Sequence, residues 1–293
     1  MGSKKKILIQ LDTDPRPSSF DAIVALDSGA DALIPHGSIR PEAVRDLVFG
    51  AIFTRGVEAL RSTAIFVGGS DVSLGEDVLR AARGAFLGPL RVSLMLDSGG
   101  ANTTAAAAVV AVERELESAG ESLEGRRALV LGSTGPVGRR VVRLLARAGA
   151  RVGAASRALD RSTMVADEVR GVVEGAAVEA VESGTEAQLV EALREVDVVV
   201  AAGGLGVCLL PREIRQRASD LRIAIDLNAV PPVGIEGIEG PDAGVERDGV
   251  TAYGAIGVGG IKMKIHKACV ASLFAANDRV LDAESIFEIA RAL

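Results

Sequence analysis

Three regularly spaced glycines are the residues in this chain that most clearly point to a chemical role. Gly132, Gly135 and Gly138 stand between a strand-like run, RALVL, and a helix-like run, GRRVVRLLARAG. Glycine permits a tight turn and lets the backbone approach a pyrophosphate, whose charge is met by N–H groups at the start of the helix. A second strand-like run, ARVGAAS, follows in the expected order. The first glycine gap is one residue longer than in the commonest fingerprint, but the whole unit predicts a dinucleotide site rather than a plain turn.

The end of that second strand distinguishes NADP from NAD. An NAD site commonly places Asp or Glu there, to accept hydrogen bonds from the ribose 2′-OH. Here the strand ends with Ser156 and Arg157, and the nearest acid is Asp160. A guanidinium can donate two hydrogen bonds to one phosphate, and Arg161 could add a second positive charge. The pattern predicts NADP, with a solvated surface position for Arg157 as the alternative.

Two later strand-like runs extend the predicted cofactor site. VVVAAGG ends in small residues that let a ribose or a ring lie close, and DLNAVPP ends in polar residues and two prolines. In open parallel sheets, ligands bind beyond the carboxyl ends of the strands. We therefore expect Ala202, Gly203, Gly204 and Asn228 near the cofactor, although Asn228 is equally well interpreted as a turn-stabilising residue.

The composition excludes several functional classes. Of the 293 residues, 48% are hydrophobic and 25% are charged, which is typical of a globular protein. The net charge of -6 argues against a general nucleic-acid-binding protein. The longest apolar run, 198–210, is shorter than a membrane-spanning helix, which needs about 20 residues. Cys208 and Cys269 have no disulfide or metal-site spacing, and no signal peptide is evident, so we expect a cytoplasmic protein without a metal site.

Alternating strand-like and helix-like runs predict an α/β fold with parallel sheets. Residues 5–11 predict the first strand, and a helix is expected to begin near Ser19. A long alanine-rich helix follows DSGG, with Asn102 or Thr103 as its expected N-cap. The last apolar helix is expected from about residue 265 to residue 274.

This alternation divides the chain into two predicted domains. Residues 1–106 are expected to form an N-terminal β/α substrate domain, and residues 107–269 a Rossmann-type NADP-binding domain. The long helix is a natural connector between them. The C-terminal helix, 270–293, is expected to pack back on the first domain.

Lysine use is unusual in a chain that otherwise uses arginine. Only six lysines occur, and three of them lie in KMKIHKAC, with one of the two histidines and one of the two cysteines. A basic helix face is the simplest interpretation of this segment on its own.

These motifs together resemble the NADP-dependent methylene-tetrahydromethanopterin dehydrogenases of methylotrophic and related bacteria. The resemblance runs from ILIQLDTDPRPSSFDAIVALDSGAD through IFTRG, STAIFVGG, MLDSGGANTTAAA and GSTGPVGRR to DLNAVPPVGI, GAIGVGGIKMKIHKAC and DAESIFEIA. It is nearly full-length. It implies two α/β domains with an active-site cleft between them, and a homo-oligomer, a trimer or larger.

The resemblance also implies a reaction. An oxidoreductase acting on a CH–NH donor would move a hydride reversibly from the methylene carbon of a reduced pterin carrier to NADP, in one-carbon (formaldehyde) metabolism. The product is a methenyl cation delocalised over two nitrogens, so the chemistry needs no metal, nucleophile or general base at the reacting carbon. The carrier would be tetrahydromethanopterin, with tetrahydrofolate also open.

Site residues follow from the same resemblance. Lys262 matches the active-site lysine, and the scarcity of lysine elsewhere strengthens that assignment. The predicted substrate-binding residues are Asp21, Thr54, Asp97 and Asn102. The predicted cofactor-binding residues are Gly132, Ser133, Thr134, Gly135, Pro136, Val137, Gly138, Ser156, Arg157, Arg161, Ala202, Gly203, Gly204, Asn228, Ile256 and Gly257.

One position departs from the family pattern. A known member has two successive basic residues at the end of the second strand, whereas here Arg157 is followed by Ala158. This difference leaves some use of NAD open.

Two other functions fit the same architecture. A shikimate-dehydrogenase-like oxidoreductase would need a Lys/Asp pair in the first domain, but no lysine occurs between Lys6 and Lys262. A non-catalytic NADP-sensing module would bind the cofactor without turnover and would not need the polar loops of the first domain.

Overall fold

The computed structural model describes residues 4–293. They form two compact α/β units, so the predicted α/β class with parallel sheets is confirmed. One unit contains the chain up to Thr103 together with Met263–Leu293, and the other contains Thr104–Lys262. Both divisions fall inside long helices, α4 (Ala101–Ser118) and α9 (Ala255–Ser272).

The first unit is built on a parallel sheet whose strands are β1 (Ile7–Asp12), β2 (Ala32–His36), β3 (Thr63–Gly68), β4 (Ser93–Leu96) and β12 (Val280–Leu281). Their order is β12-β4-β3-β1-β2. The connecting helices are α1 (Ser19–Asp27), α2 (Pro41–Ile52) and α3 (Val72–Gly84), and α10 (Ala283–Arg291) follows β12. Apolar side chains of α2 and α3 pack on one face of the sheet, because each helix has an apolar stripe at helical spacing.

The second unit has the strands β5 (Arg127–Leu131), β6 (Arg151–Ser156), β7 (Val178–Glu182), β8 (Val198–Ala201), β9 (Ile223–Asp226), β10 (Ala243–Arg247) and β11 (Val250–Tyr253). The helices are α5 (Pro136–Arg147), α6 (Leu159–Val172), α7 (Glu186–Ala192) and α8 (Arg212–Arg215). The sheet order is β10-β11-β9-β8-β5-β6-β7, with only the edge strand β10 antiparallel to its neighbour. Without β10, this is the 3-2-1-4-5-6 order of a Rossmann sheet.

Some predicted boundaries were wrong, for identifiable reasons. The alanine-rich helix begins at Ala101, so Asn102 and Thr103 lie in its first turn and are not its N-cap. Asp97 supplies the acceptor instead, because its Oδ1 accepts hydrogen bonds from the N–H groups of both residues.

The last long helix was also predicted too short. It begins at Ala255, not near residue 265, because glycines that usually disfavour a helix make up its first turns. At Gly257 the glycine is required: a Cβ there would lie 1.9 Å from the carbonyl oxygen of Asp242. None of the helices within residues 4–293 combines the length and hydropathy needed to cross a membrane.

The C-terminal segment belongs to the core of the first unit, which gives a stability prediction. Phe287 on α10 is 0% exposed, whereas Phe53, just after α2, is 59% exposed. We expect Phe287→Ala to lower the free energy of unfolding by about 3–5 kcal/mol, because it leaves a cavity. Phe53→Ala is the matched control, and its effect should be far smaller. Urea unfolding followed by circular dichroism measures both, and equal effects would contradict the packing of α10.

Candidate functional site

The predicted cofactor loops meet where the strand order of the second sheet reverses. β5 and β8 are neighbours there, and the chain leaves them in opposite directions across the sheet. Gly132, directly after β5, has a φ of +74°, and a Cβ on it would lie 2.6 Å from the Cα of Gly203, two residues after the end of β8. The two loop backbones are therefore in contact, at the position where dinucleotides bind in this fold.

The third glycine allows α5 to pack closely against the turn. A Cβ on Gly138 would lie 2.4 Å from the carbonyl oxygen of Gly132. Ser133 fixes the same turn from inside, because its hydroxyl donates to the carbonyl oxygen of Ala155 at 2.9 Å. Gly138 and Ser133 therefore stabilise the conformation of the loop, and a ligand would contact other residues of it.

Gly135 is different, because the protein itself does not need a glycine there. A Cβ on Gly135 would have its nearest neighbours at 3.6 Å, which is ordinary van der Waals contact. Gly135 is the N-cap of α5, no side chain caps that helix start, and Pro136 follows it. The helix N–H groups are thus left for an anion, and the missing Cβ leaves room for a pyrophosphate. The residues present fit a dinucleotide cofactor.

The end of β6 carries the residues predicted to select NADP. Ser156 is buried, while Arg157 and Arg161 are exposed on either side of the start of α6. Neither arginine forms an ion pair with any residue in the described part of the chain, whereas Arg139 and Arg170 pair with Glu168 and Asp167. Two unpaired guanidiniums at this strand end suit a ribose 2′-phosphate.

The loop after β9 is held together by its own polar groups. The amide of Asn228 donates to the carbonyl oxygen of Pro232 at 3.1 Å and accepts from the N–H of Val230 at 3.0 Å. Asp226 accepts from the N–H groups of Asn228 and Ile235, and burial raises the pKa of its carboxyl group. Asn228 therefore has the turn-stabilising role that its sequence position also allowed.

The remaining predicted cofactor residues differ in how exposed they are and in what they pack against. Thr134 and Val137 are half-buried in the glycine-rich turn, whereas Ile256 is 66% exposed at the start of α9. A Cβ on Gly204 would meet open space, and Gly257 packs against the loop before β10.

In the first unit, polar residues converge at the carboxyl edge of the sheet. Asp12 ends β1 and is in register with Gly68, which ends β3. A Cβ on Gly68 would lie 3.4 Å from Oδ2 of Asp12 and 3.6 Å from Oδ2 of Asp21. The glycine thus leaves a notch lined by two carboxylates, one of which was predicted from the sequence.

Asp97 and Asn102 lie beside this edge but are deeply buried. Besides the start of α4, Asp97 accepts from the hydroxyl of Thr103 at 2.6 Å, and Asn102 donates from Nδ2 to the carbonyl oxygen of Leu96 at 2.6 Å. Thr54 is not brought to this edge. It follows α2 and precedes β3, which places it at the amino edge of the parallel sheet, where its hydroxyl donates to Ala51.

Two residues of this edge were missed at the sequence level. His266 of α9 is buried, with Nδ1 4.0 Å from Oδ2 of Asp97, and its ring stacks on Phe66 with centroids 5.7 Å apart. The half-exposed ring of Phe20 lies 6.2 Å from the same imidazole. The signal was present in KMKIHKAC, because His266 follows Lys262 by one helical turn and shares its face of α9.

Lys262 is half-buried on α9, and its ammonium group forms no ion pair with a residue of the described chain. In contrast, Lys267 on the same helix pairs with Asp27 at 3.2 Å. No group of three or more His, Cys, Asp or Glu side chains arranged to hold a metal ion is found in residues 4–293.

A Rossmann unit with a dinucleotide cradle, joined to a parallel α/β unit with its own polar edge, is an arrangement found in two-unit nicotinamide-dependent dehydrogenases. Quinate dehydrogenase from Corynebacterium glutamicum, in complex with NAD, has the same fold: 15% identity, a TM-score of 0.52, and coverage of 99% of this chain and 100% of that chain. At this identity, the likeness shows the fold alone.

Sequence comparisons define the family. Residues 19–99 match the family model for the N-terminal part of methylene-tetrahydromethanopterin dehydrogenase. The chain is 45% identical over 289 residues, 99% of each sequence, to the bifunctional protein MdtA of Methylorubrum extorquens. It is 31% identical over 269 residues, 88% of each sequence, to the NAD(P)-dependent methylenetetrahydromethanopterin dehydrogenase of the same organism. The chain belongs to the methylene-tetrahydromethanopterin dehydrogenase family, as its motifs predicted.

The different environments of two glycines give a test of the cofactor cradle. We expect Gly135→Ala to leave the thermal midpoint unchanged and to weaken NADP binding at least ten-fold, because only the ligand needs that space. Gly138→Ala is the matched variant and should lower the thermal midpoint, since its Cβ meets backbone atoms. Differential scanning fluorimetry and calorimetric titration with NADP measure both. Unchanged NADP affinity in Gly135→Ala would contradict the assignment of the cradle.

Proposed function

We propose that this protein is an NADP-dependent methylene-tetrahydromethanopterin dehydrogenase. The observation that carries the proposal is the cradle at Gly135, with unpaired Arg157 and Arg161 at the neighbouring strand end. It occurs in a chain that is 45% identical over nearly its whole length to MdtA. The substrate is a reduced pterin that carries a methylene group between two nitrogens, and the product is its methenyl cation.

When bound, NADP supplies the nicotinamide ring that accepts the hydride. The substrate's methylene carbon gives up a hydrogen with both bonding electrons, and the two flanking nitrogens share the resulting positive charge. Because no proton moves at that carbon, the chain does not need a general base there. The residues bind, align and desolvate the reacting groups, which can contribute most of the rate enhancement in such a reaction.

The carboxylates at the edge of the first sheet favour this charge change. The substrate's ring system is neutral at the reacting carbon and becomes cationic, so a negative field stabilises the transition state more than the ground state. Asp12 and Asp21 flank the notch at Gly68. The buried pair of Asp97 and His266 lies at the same edge, and the imidazole of His266 is near the ring of Phe20. The exposed ring of Phe20 offers an apolar face for a pterin.

The lysine assigned through the family has an orienting role in this proposal. A cation beside the developing methenyl charge would be unfavourable, so Lys262 is expected to act as a hydrogen-bond donor, to the pterin or to the nicotinamide carboxamide. Lys262 lies one helical turn before His266 on α9. Because His266 is buried, it restrains the helix that carries both residues.

Two features of the proposal stay predictions from the sequence and the family resemblance. A homo-oligomer of three or more subunits stays a prediction, which light scattering measures directly. The exposed apolar side chains of Ile23 and Leu26 on α1 support it. The cytoplasmic location likewise stays a prediction.

Absorbance at the NADPH band tests the proposed reaction. Purified protein is mixed with methylene-tetrahydromethanopterin, with NADP in one cuvette and NAD in the other, and methylene-tetrahydrofolate replaces the carrier in a second pair. We expect reduction that strongly favours NADP. No reduction with either nucleotide, together with tight NADP binding, would replace the dehydrogenase with an NADP-sensing module.

The same assay tests the phosphate site. Arg157→Ala should raise the KM for NADP by about ten-fold or more and leave the KM for NAD nearly unchanged, because only NADP loses a charge-assisted contact. Arg170→Ala is the control, because Arg170 lies in the last turn of α6, at the opposite end from Arg157, and pairs with Asp167. Equal use of NAD by the wild type would retain the reaction and reject the phosphate argument.

Substitution of Lys262 tests the orienting role. Lys262→Met preserves length and packing but cannot donate, and we expect kcat to fall by about 100-fold, the effect of misaligned reactants. Lys264→Met, at an exposed position of the same helix, is the control and should stay within about two-fold of the wild type. Full activity of Lys262→Met would remove this residue from the site.

A further inference from the structure

A buried glutamine, Gln10, lies in the first sheet at a position that the proposed reaction does not explain. Gln10 lies in the middle of β1, in register with Phe66 of β3, which is in register with Met95 of β4. Register partners in a parallel sheet project to the same face, so Gln10 shares a row with two apolar residues. It is 1% exposed. Burying an amide in such a row is unfavourable unless its groups are hydrogen bonded.

The hydrogen bonds of Gln10 reach the start of α1. Its Nε2 donates to Oδ2 of Asp12 at 3.5 Å and to the carbonyl oxygen of Ser18 at 3.3 Å. The same Oδ2 of Asp12 accepts from the N–H of Ser18 at 2.9 Å. Ser18 caps α1, because its hydroxyl oxygen accepts from the N–H of Asp21. Gln10, Asp12 and Ser18 therefore fix the first turn of α1, which carries Phe20 and Asp21.

The carbonyl oxygen of the Gln10 amide does not stabilise the fold through a hydrogen bond within the described residues. Oε1 of Gln10 is buried and accepts no hydrogen bond from any residue in the described range 4–293. An unsatisfied buried acceptor is destabilising, and in native proteins such a group calls for a specific explanation. An apolar residue of similar size would fill the position beside Phe66 without that penalty.

We propose that Gln10 is a positioning residue for the pterin substrate. It holds the first turn of α1 so that Phe20 and Asp21 face the notch at Gly68, and the protein tolerates the unsatisfied oxygen because the Nε2 donor is needed. The inference rests on the proposed function. It predicts an effect on the carrier alone, since the cofactor cradle lies in the other unit.

Replacing the amide with a thioether tests this role. Gln10→Met keeps the volume and removes both polar groups. We expect the KM for the methylene carrier to rise about ten-fold, the effect of losing weak hydrogen bonds that orient the turn. The KM for NADP should stay the same, and the thermal midpoint should be equal to that of the wild type or higher. Leu8→Met, at a buried position on the same face of β1, is the matched control and should leave both KM values unchanged.

A second variant supplies a pH signature that a packing role would not produce. Gln10→Glu keeps the shape but places a second carboxyl group against Asp12, and two ionised carboxylates at this distance repel each other. In such a pair the second proton to dissociate is held more tightly, so a proton shared by the two carboxyl groups at lower pH can restore the missing donor. The defect in kcat/KM for the carrier, relative to the wild type at the same pH, should therefore shrink as the pH falls.

The outcomes separate the inference from the function. If the wild type turns over and both Gln10 variants keep its carrier KM, Gln10 is a core residue only and the inference fails. A loss of thermal stability with parallel changes in both KM values, or a defect in Gln10→Glu that does not depend on pH, would also reject it. If the wild type does not turn over, the proposed function fails. Calorimetric titration with the reduced carrier then tests the role of Gln10. The proposed role predicts that Gln10→Met binds the carrier about ten-fold more weakly than the wild type does.

Discussion

The parallel direction of the strands is the constraint on which the position of every candidate site residue depends. In a parallel sheet, all carboxyl ends of the strands lie at one edge, and the following loops are brought together without being neighbours in sequence. Asp12 and Gly68 meet in this way in the first unit, although they are far apart in sequence. Gly132 and Gly203 meet in the same way in the second unit. The same rule places Thr54, which precedes a strand, at the opposite edge.

Glycine has three separate uses at the cofactor cradle. Gly132 adopts a positive φ and allows two loop backbones to touch, and Gly138 lets a helix approach the turn. At these two positions, neighbouring atoms of the protein leave no room for a Cβ, so the fold itself requires glycine. Gly135 is explained only by a ligand, because its own surroundings would accept a Cβ. The distinction separates a residue that folds the loop from a residue that serves the cofactor, which a spacing pattern alone cannot do.

Sequence patterns predicted the features that depend on local chemistry. The glycine spacing, the basic strand end at Arg157 and the alternation of strands and helices each follow from short stretches, and the α/β class was correct. The start of α9 was missed because its glycines are accepted for tertiary reasons, as the contact of Gly257 with Asp242 shows. The edge strand β12 is only two residues long and has no pattern of its own. The segment KMKIHKAC contained a signal for His266, but its pairing with Asp97 joins residues distant in sequence, so no local pattern indicated the partner.

Charge is distributed between the two units according to the chemistry that each would perform. In the second unit, the strand end that would face a 2′-phosphate carries arginines without partners, and the helix start at Gly135 adds a partial positive charge. In the first unit, the polar edge carries the carboxylates of Asp12, Asp21 and Asp97. Because hydride loss converts a neutral carbon centre into a cation, carboxylates near that carbon would favour the reaction. Lys262 is expected to donate a hydrogen bond to the pterin or to the nicotinamide carboxamide, away from the developing charge. The carboxylates of this edge thus match the positive charge that the proposed reaction develops, as the arginines of the second unit match the negative charge of the cofactor.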